Sequence, residues 1–506
     1  MTEERFHRVA SRQERRAAEN PRGYRLRVAA LALLGYGYLL GLLGLVVAAL
    51  AADVFIVSRY SPAALELRFG ILLLILAALI VRSMWVQVPT PQGWILGYEQ
   101  AAQFYDAVEQ VRVGCRGPKL HQVVFTEDMN AGIVQVPRFG MLGWHRNYLA
   151  VGLPLMYALT PEQFQAVLAH EFGHLSAGHG RFSVWIHGVR AMWEQLLAAL
   201  TERESRLRAP VIVFLRHYVP YFEAYTLALA RQQEYEADQM AVTVAGPEVT
   251  GATLVSCSVA NALDERYWRE LGLRSESDEE PPADAVTALC TAVGEKPTRW
   301  SPTMLTAFAL CQEPSVTDTH PALHQRLAAI NATPAQARYQ GGPATSAAAA
   351  FLAEAAPGLL EILDRSAHEN ARRSWRSLRD HCALVRGRLA ELQADAAATD
   401  ETHLQERLAL AEMLCDDSAI ESALQAIVDS DAQNAHAAFG LGLALLRRGD
   451  DAGLGYINRS MELDPAAGNP GRIITSAYLD QTGAVRLRCE EHHHQYDGPA
   501  EQPPAR

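Results

Sequence analysis

The chain has no pair of cysteines at CxxC spacing, which excludes a CxxC metal clasp and a dithiol redox motif. Its seven cysteines (Cys115, Cys257, Cys290, Cys311, Cys382, Cys415 and Cys489) are scattered and odd in number. They read as reduced, mostly buried thiols in a reducing compartment. Positive charge is also short. Lys and Arg total 45 against 57 Asp and Glu, a net charge of −12, which argues against a nucleic-acid binder. Finally, no small-residue cleavage site follows the N-terminal apolar run, so that run is not a removable signal peptide.

What positive charge there is concentrates at the start. Eight arginines (Arg5, Arg8, Arg12, Arg15, Arg16, Arg22, Arg25 and Arg27) precede the run Val28 to Val57, which is apolar apart from Asp53. About 20 apolar residues suffice to cross a bilayer, so this run predicts a transmembrane helix with Asp53 near its far interface. A short loop, Ser58 to Arg68, leads to a second apolar run from Phe69 to Val81. It becomes long enough to span only if Arg82 snorkels and the run extends through Trp85 and Val86. The expectation is a two-span hairpin in a bacterial inner membrane. By the positive-inside rule, the N-terminus and everything after Val88 are cytoplasmic.

The strongest chemical signal is His170-Glu171-Phe172-Gly173-His174, an HExxH pattern. Apolar residues at helical spacing lead into it, and Thr160-Pro161 reads as N-cap and first helical position. On a helix His170 and His174 are i and i+4, so both imidazoles leave one face and can share a metal, with Glu171 beside them as a general base. A catalytic zinc takes three protein ligands and keeps one position open. The metzincin third His would fall at position 180, which is Gly180, with His179 one residue short. A second pattern fits instead. Glu234-Tyr235-Glu236-Ala237-Asp238 again places two carboxylates at i and i+4, one able to bind metal and one able to hold a ligand His.

Four features taken in order resemble the membrane zinc metallopeptidases that include the HtpX heat-shock proteases and the CAAX prenyl proteases. They are Asn130-Ala131, the stretch His170 to His179, Glu234 to Asp238, and Thr319-His320-Pro321 followed by Arg326. The resemblance covers roughly residues 90 to 330. It implies one Zn²⁺ per chain on His170, His174 and Glu234, with Glu171 as catalytic base. It further implies that Asp238 is a carboxylate behind the ligands or a proton donor, and that His320 acts in the cleft, which Asn130 and Ala131 line. The chain departs from the family at Gly132, where an aromatic often follows Asn-Ala.

Around this site, residues 98 to 113 have helical periodicity. His121 to Thr126, Gly132 to Pro137 and Tyr148 to Gly152 read as a small sheet. Ala209 to Ala230 is apolar but contains Arg216, His217, Glu223, Pro210 and Pro220; it reads as a buried helix delivering Glu234 rather than a third span. Ser275 to Asp284 reads as a solvated acidic loop, and Gly341 to Ala350 as a linker. Farther on, Phe439 to Pro465 resembles a tetratricopeptide repeat. An offset of about 34 residues, the period of that repeat, brings Cys415-Asp416-Asp417 onto Gly449-Asp450-Asp451. His492-His493-His494 lies in a tail expected to be disordered.

These readings predict a mainly α chain. It comprises a basic cytoplasmic tail (1–27), two transmembrane helices (28–88) and an α+β zincin-like (gluzincin) protease domain with a small sheet (89–335). A linker and helical segment (336–399), TPR-like repeats (400–490) and a disordered tail (491–506) follow. The expected activity is zinc-dependent endopeptidase in membrane protein quality control or regulated proteolysis. Protein or peptide substrates and the lipid bilayer are its partners, with a protein partner at the repeats and no nucleic acid. The alternatives are a catalytically silent membrane scaffold binding through its repeats, and a prenyl-peptide protease. The topology has a direct check. A reporter fused after Val88 should report cytoplasm and one near Ser61 the opposite side; cytoplasmic signal from both would mean that the second run does not span.

Overall fold

The computed structural model describes residues 2–60, 71, 74, 90–137, 145–175, 209–295, 301–315, 318–333, 337–395 and 400–482, with parts of 182–197. Two helices open the chain, α1 (Glu3–Glu19) and α2 (Pro21–Tyr60). The apolar part of α2, Pro21–Phe55, has a mean hydropathy of 2.2, and Leu33, Leu34, Leu45, Val54 and Phe55 face outward. It is one of two helices among the described residues long and apolar enough to cross a membrane; the other candidate is Ile212–Glu276. The second apolar run of the expected hairpin, residues 69–86, lies almost wholly outside the described residues.

Next come α3 (Ala102–Gly114), β1 (Gln122–Thr126), β2 (Ala131–Pro137) and β3 (His145–Gly152). The sheet order is β1-β3-β2, with β1 parallel and β2 antiparallel to β3. β2 is therefore at an edge. A short α4 (Leu153–Ala158) leads into α5 (Pro161–Leu175). The start of α5 is fixed by a reciprocal cap: the Gln163 amide donates to Thr160 Oγ1 (3.2 Å) and the Thr160 amide to Gln163 Oε1 (3.0 Å).

The longest element is α6, Ala209–Leu273, broken at Gly246 (φ 83°) just before Pro247. Pro247 has no N–H for the helical ladder, and Gly246 takes a conformation that costs a side-chain-bearing residue energy. Ahead of the break, Leu215, Val219, Phe222 and Leu229 pack against Tyr24, Val28 and Ala32 of α2 and against Ile186, Val189 and Trp193. This stretch leads on to Glu234; one face is buried against α2, while Val213 is exposed.

Beyond it lie α7 (Ala285–Gly294), α8 (Pro302–Cys311), α9 (Leu323–Ala329), α10 (Ala347–Phe351) and α11 (Ala355–Ala394). Here the structure departs from the linker reading. Ala347 and Ala348 have no exposed surface and share one core with the sheet, α5 and the first half of α11 through Leu359 and Leu363. Small side chains let α10 approach closely, and the Ala347 amide donates to the Leu159 carbonyl. The acidic loop differs too. Arg379 donates to the Ser275 and Asp278 carbonyls, while Arg386 and Arg372 pair with Glu276 and Glu280, so α11 clasps it.

The described residues end in five helices: α12 (Glu401–Met413), α13 (Asp417–Ser430), α14 (Ala435–Arg447), α15 (Ala452–Leu463) and α16 (Gly468–Thr482). Neighbours in sequence pack on one another: Leu404 and Leu408 of α12, Leu424 and Ile427 of α13 and Leu441 and Leu445 of α14 share one cluster. Leu446, Ile457, Ile474 and Tyr478 of the last three cover Met304 and Ala307 of α8, so the array returns to α8.

Asp364 of α11 joins two parts of that core. Its buried carboxylate accepts from the Val286 amide (2.8 Å), the Thr287 amide (3.1 Å) and the Thr287 hydroxyl (2.6 Å), capping α7 from 77–78 residues away. The residue at the local N-cap, Asp284, makes no side-chain cap. Asp364→Ala should therefore destabilise the fold by roughly 2–4 kcal/mol, the cost of leaving buried donors without an acceptor, and Asp364→Asn by less. Unfolding midpoints measure both, and an unchanged midpoint for the alanine variant would rule out this cap.

Candidate metal centre

One face of α5 is spent on the core, where Phe164, Leu168, Ala169 and Phe172 are fully buried. The other carries His170, Glu171 and His174 toward α6. The two helices nearly touch at Gly173: a Cβ there would lie 2.9 Å from Ala237 Cα and 3.1 Å from Met240 Cβ. Only glycine permits that approach, and the approach sets the site.

Across the contact, His170 Nε2 and His174 Nε2 lie 3.1 Å apart. Each is 3.6 Å from a carboxylate oxygen of Glu234. Three ligand atoms thus gather within 4.8 Å of one another. The buried Oε2 of Glu234 has no hydrogen-bond partner, an orphaned acceptor of the kind a cation satisfies. Two imidazole nitrogens and one carboxylate oxygen are a donor set that suits zinc with a position left open.

Behind the ligands, Asp238 fixes the histidine. His170 Nδ1 is 3.0 Å from Asp238 Oδ1. With Nδ1 as donor, Nε2 keeps its lone pair for a metal. Asp238 has no exposed surface and receives two hydrogen bonds from Arg326, Nε to Oδ2 at 2.9 Å and Nη2 to Oδ1 at 2.7 Å. Burial alone would raise its pKa, but Arg326 and then His170 outweigh that and hold it well below the usual carboxylate range. Arg326 was part of the matched sequence pattern without a role; its partner lies 88 residues away, a pairing no local spacing announces.

Glu171 lies at the wall of the cleft. Burial pushes its carboxyl pKa up, offset in part by His170 and by a hydrogen bond from the Ile133 backbone. Gly132 brings β2 close: a Cβ there would be 3.8 Å from Glu171 Oε2. His320 occupies the open side. It is more than half exposed, with Nε2 3.6 Å from Glu234 Oε2, and its backbone amide and Nδ1 both face Asp318 Oδ1 at 2.9 and 3.2 Å. Asn130 caps its own strand, its Oδ1 accepting from the Ala131 amide (2.9 Å). A cavity of about 1240 Å³ has Asn130, Ala131, His170, Glu171, Asp238 and His320 in its lining. It continues along α6 beyond the Gly246 break, past Thr253, Cys257 and Asn261 to Trp268. This far wall was not among the expected site residues; its one signal in the sequence is recurrence at helical spacing.

The sequence model for peptidase family M48 matches residues 136–334, a stretch containing both histidines of α5, both carboxylates of α6, His320 and Arg326. No curated protein and no solved structure matches the chain. Together with the ligand cluster, the family match supports a zinc-dependent metallopeptidase.

The helix contact gives a prediction about metal. Gly173→Leu would force α5 and α6 apart and should lose bound zinc, as should His174→Ala and Glu234→Ala, each missing one ligand. Metal analysis of the purified variants is the check. Zinc at parental occupancy in both ligand variants would refute the ligand set, and in Gly173→Leu would refute the contact as its determinant.

Proposed function

We propose that the chain is a membrane-anchored zinc endopeptidase whose α2 helix lies in the bilayer. The observation that carries this is the convergence of His170, His174 and the unpartnered Glu234 Oε2 beside Glu171, at the wall of a cavity large enough for several residues of extended peptide. A zinc ion on the three ligands would supply Lewis acidity and an acidified water.

The chain's own groups supply the rest. The outer edge of β2 has no strand partner among the described residues, and its N–H and C=O groups can pair with a substrate backbone whatever its sequence. Glu171, next to β2, takes the proton of the attacking water and returns it to the departing amine nitrogen. His320, on the open side of Glu234, is placed to donate to the oxygen of the scissile carbonyl as charge builds there. Arg326 and Asp238 keep His170 oriented throughout. Placement beside a membrane helix fits cleavage of membrane or membrane-proximal proteins, with the N-terminus and the catalytic unit in the cytoplasm.

Glu171→Gln separates binding from chemistry. It should retain zinc and cut an unstructured peptide at least about a hundredfold more slowly, the lower range for loss of a general base. Parental rates in a zinc-loaded variant would remove Glu171 from the mechanism.

A further inference from the structure

The arginine-rich start of the chain was expected to be a cytoplasmic tail, and in the structure it is a helix laid along α6. Phe6 and Ala10 of α1 are buried against Ala224 and Leu227, with Val9 beside them. One turn on, Glu14 Oε1 meets Arg231 Nη1 at 2.7 Å. Arg231 lies on α6 one turn ahead of Glu234. Its other terminal nitrogen, Nη2, donates to the backbone carbonyl of Asp318 at 3.4 Å. Asp318 is the residue whose carboxylate holds the amide and Nδ1 of His320, and His320 reaches to within 3.6 Å of Glu234. A continuous line of polar contacts thus runs from the N-terminal helix to the metal ligands.

We propose that Arg231 is a positioning residue, held from behind by Glu14, that fixes the Asp318–His320 turn against the zinc site. This makes α1 a working part of the peptidase; it rests on the peptidase reading given above. Arg231 is mostly buried, its side chain 23% exposed, and its Nε already lacks a partner. Truncating Glu14 would leave Nη1 of a largely buried guanidinium without its hydrogen-bond acceptor. The guanidinium would turn toward water and release the Asp318 carbonyl. The zinc ligands do not depend on this line, because Glu234 and Asp238 are held by α6 itself and by Arg326. The consequence is a His320 out of place in a site that still binds metal.

The test uses the full-length protein with Glu14→Ala and Arg231→Met as breaking variants. Glu14→Gln, which keeps an acceptor for Arg231, is the conservative control. Zinc content, unfolding midpoint, amide hydrogen exchange over Asp318–Leu323, and kcat and KM on an unstructured peptide are measured together. The expected result for both breaking variants is retained zinc, faster exchange confined to Asp318–Leu323, and kcat/KM lowered about tenfold, as for a misplaced group near the chemistry. Glu14→Gln should restore most of it. Unchanged exchange and turnover in both breaking variants would overturn the proposal. So would zinc loss with faster exchange throughout, which would make α1 a brace and nothing more. A parent protein that cleaves nothing would overturn the peptidase reading instead, and hydrogen exchange would still report whether Glu14 and Arg231 hold the turn.

Discussion

A single carboxylate with no exposed surface ties the site together. Asp238 on α6 receives Arg326 from α9 and faces His170 on α5. Three segments far apart in the chain therefore meet at one buried charge pair. Such a pair is not a strong source of net stability, because both ions leave water to form it. Breaking it is another matter. Removing one partner strands the other charge in the interior at a cost of about 3–5 kcal/mol. The arrangement thus selects one packing of α5, α6 and α9 over its neighbours, and that packing points Nε2 of His170 at Glu234.

Much of this was legible in the sequence, for local reasons. Thr160 and Gln163 cap α5 through contacts three residues apart, and the i, i+4 spacings of His170 with His174 and Glu234 with Asp238 are properties of any helix. The strands followed from alternation and β-branched residues. What the sequence hid was long-range. Arg326 pairs across 88 residues and Asp364 caps a helix 77–78 residues away. The alanines of α10 read as a linker because composition cannot distinguish small residues that pack closely from small residues that do not pack. The acidic loop read as solvated, yet Arg372, Arg379 and Arg386 recur every seven residues on one face of α11 and bind it. Likewise Phe6, Val9 and Ala10 form an apolar stripe on α1 at helical spacing, masked by the arginines around them.

The C-terminal helices follow from the same long-range logic. α11 begins inside the protease core at Ala356 and Leu359 and carries the chain away from it. α14, α15 and α16 then return and cover Met304 and Ala307 of α8, and Ser301 Oγ donates to Gln481. α8 also contributes Ala309 to the cavity wall. The last helices thus pack on the back of an element that also lines the cleft, where they bury Met304 and Ala307 of α8.

One helix, finally, contributes both to the ligand cluster and to the cavity wall. Ahead of Gly246, α6 carries Glu234 and Asp238, which face the histidines of α5 and Arg326. Beyond Pro247, the face bearing Thr250, Thr253, Cys257, Asn261, Asp264 and Trp268 becomes the wall of the cavity. Along that face half-buried Asp264 and Trp268 stand on the wall of the same cavity that His170 and Glu171 line, so one helix joins the ligand cluster to the far end of the cleft.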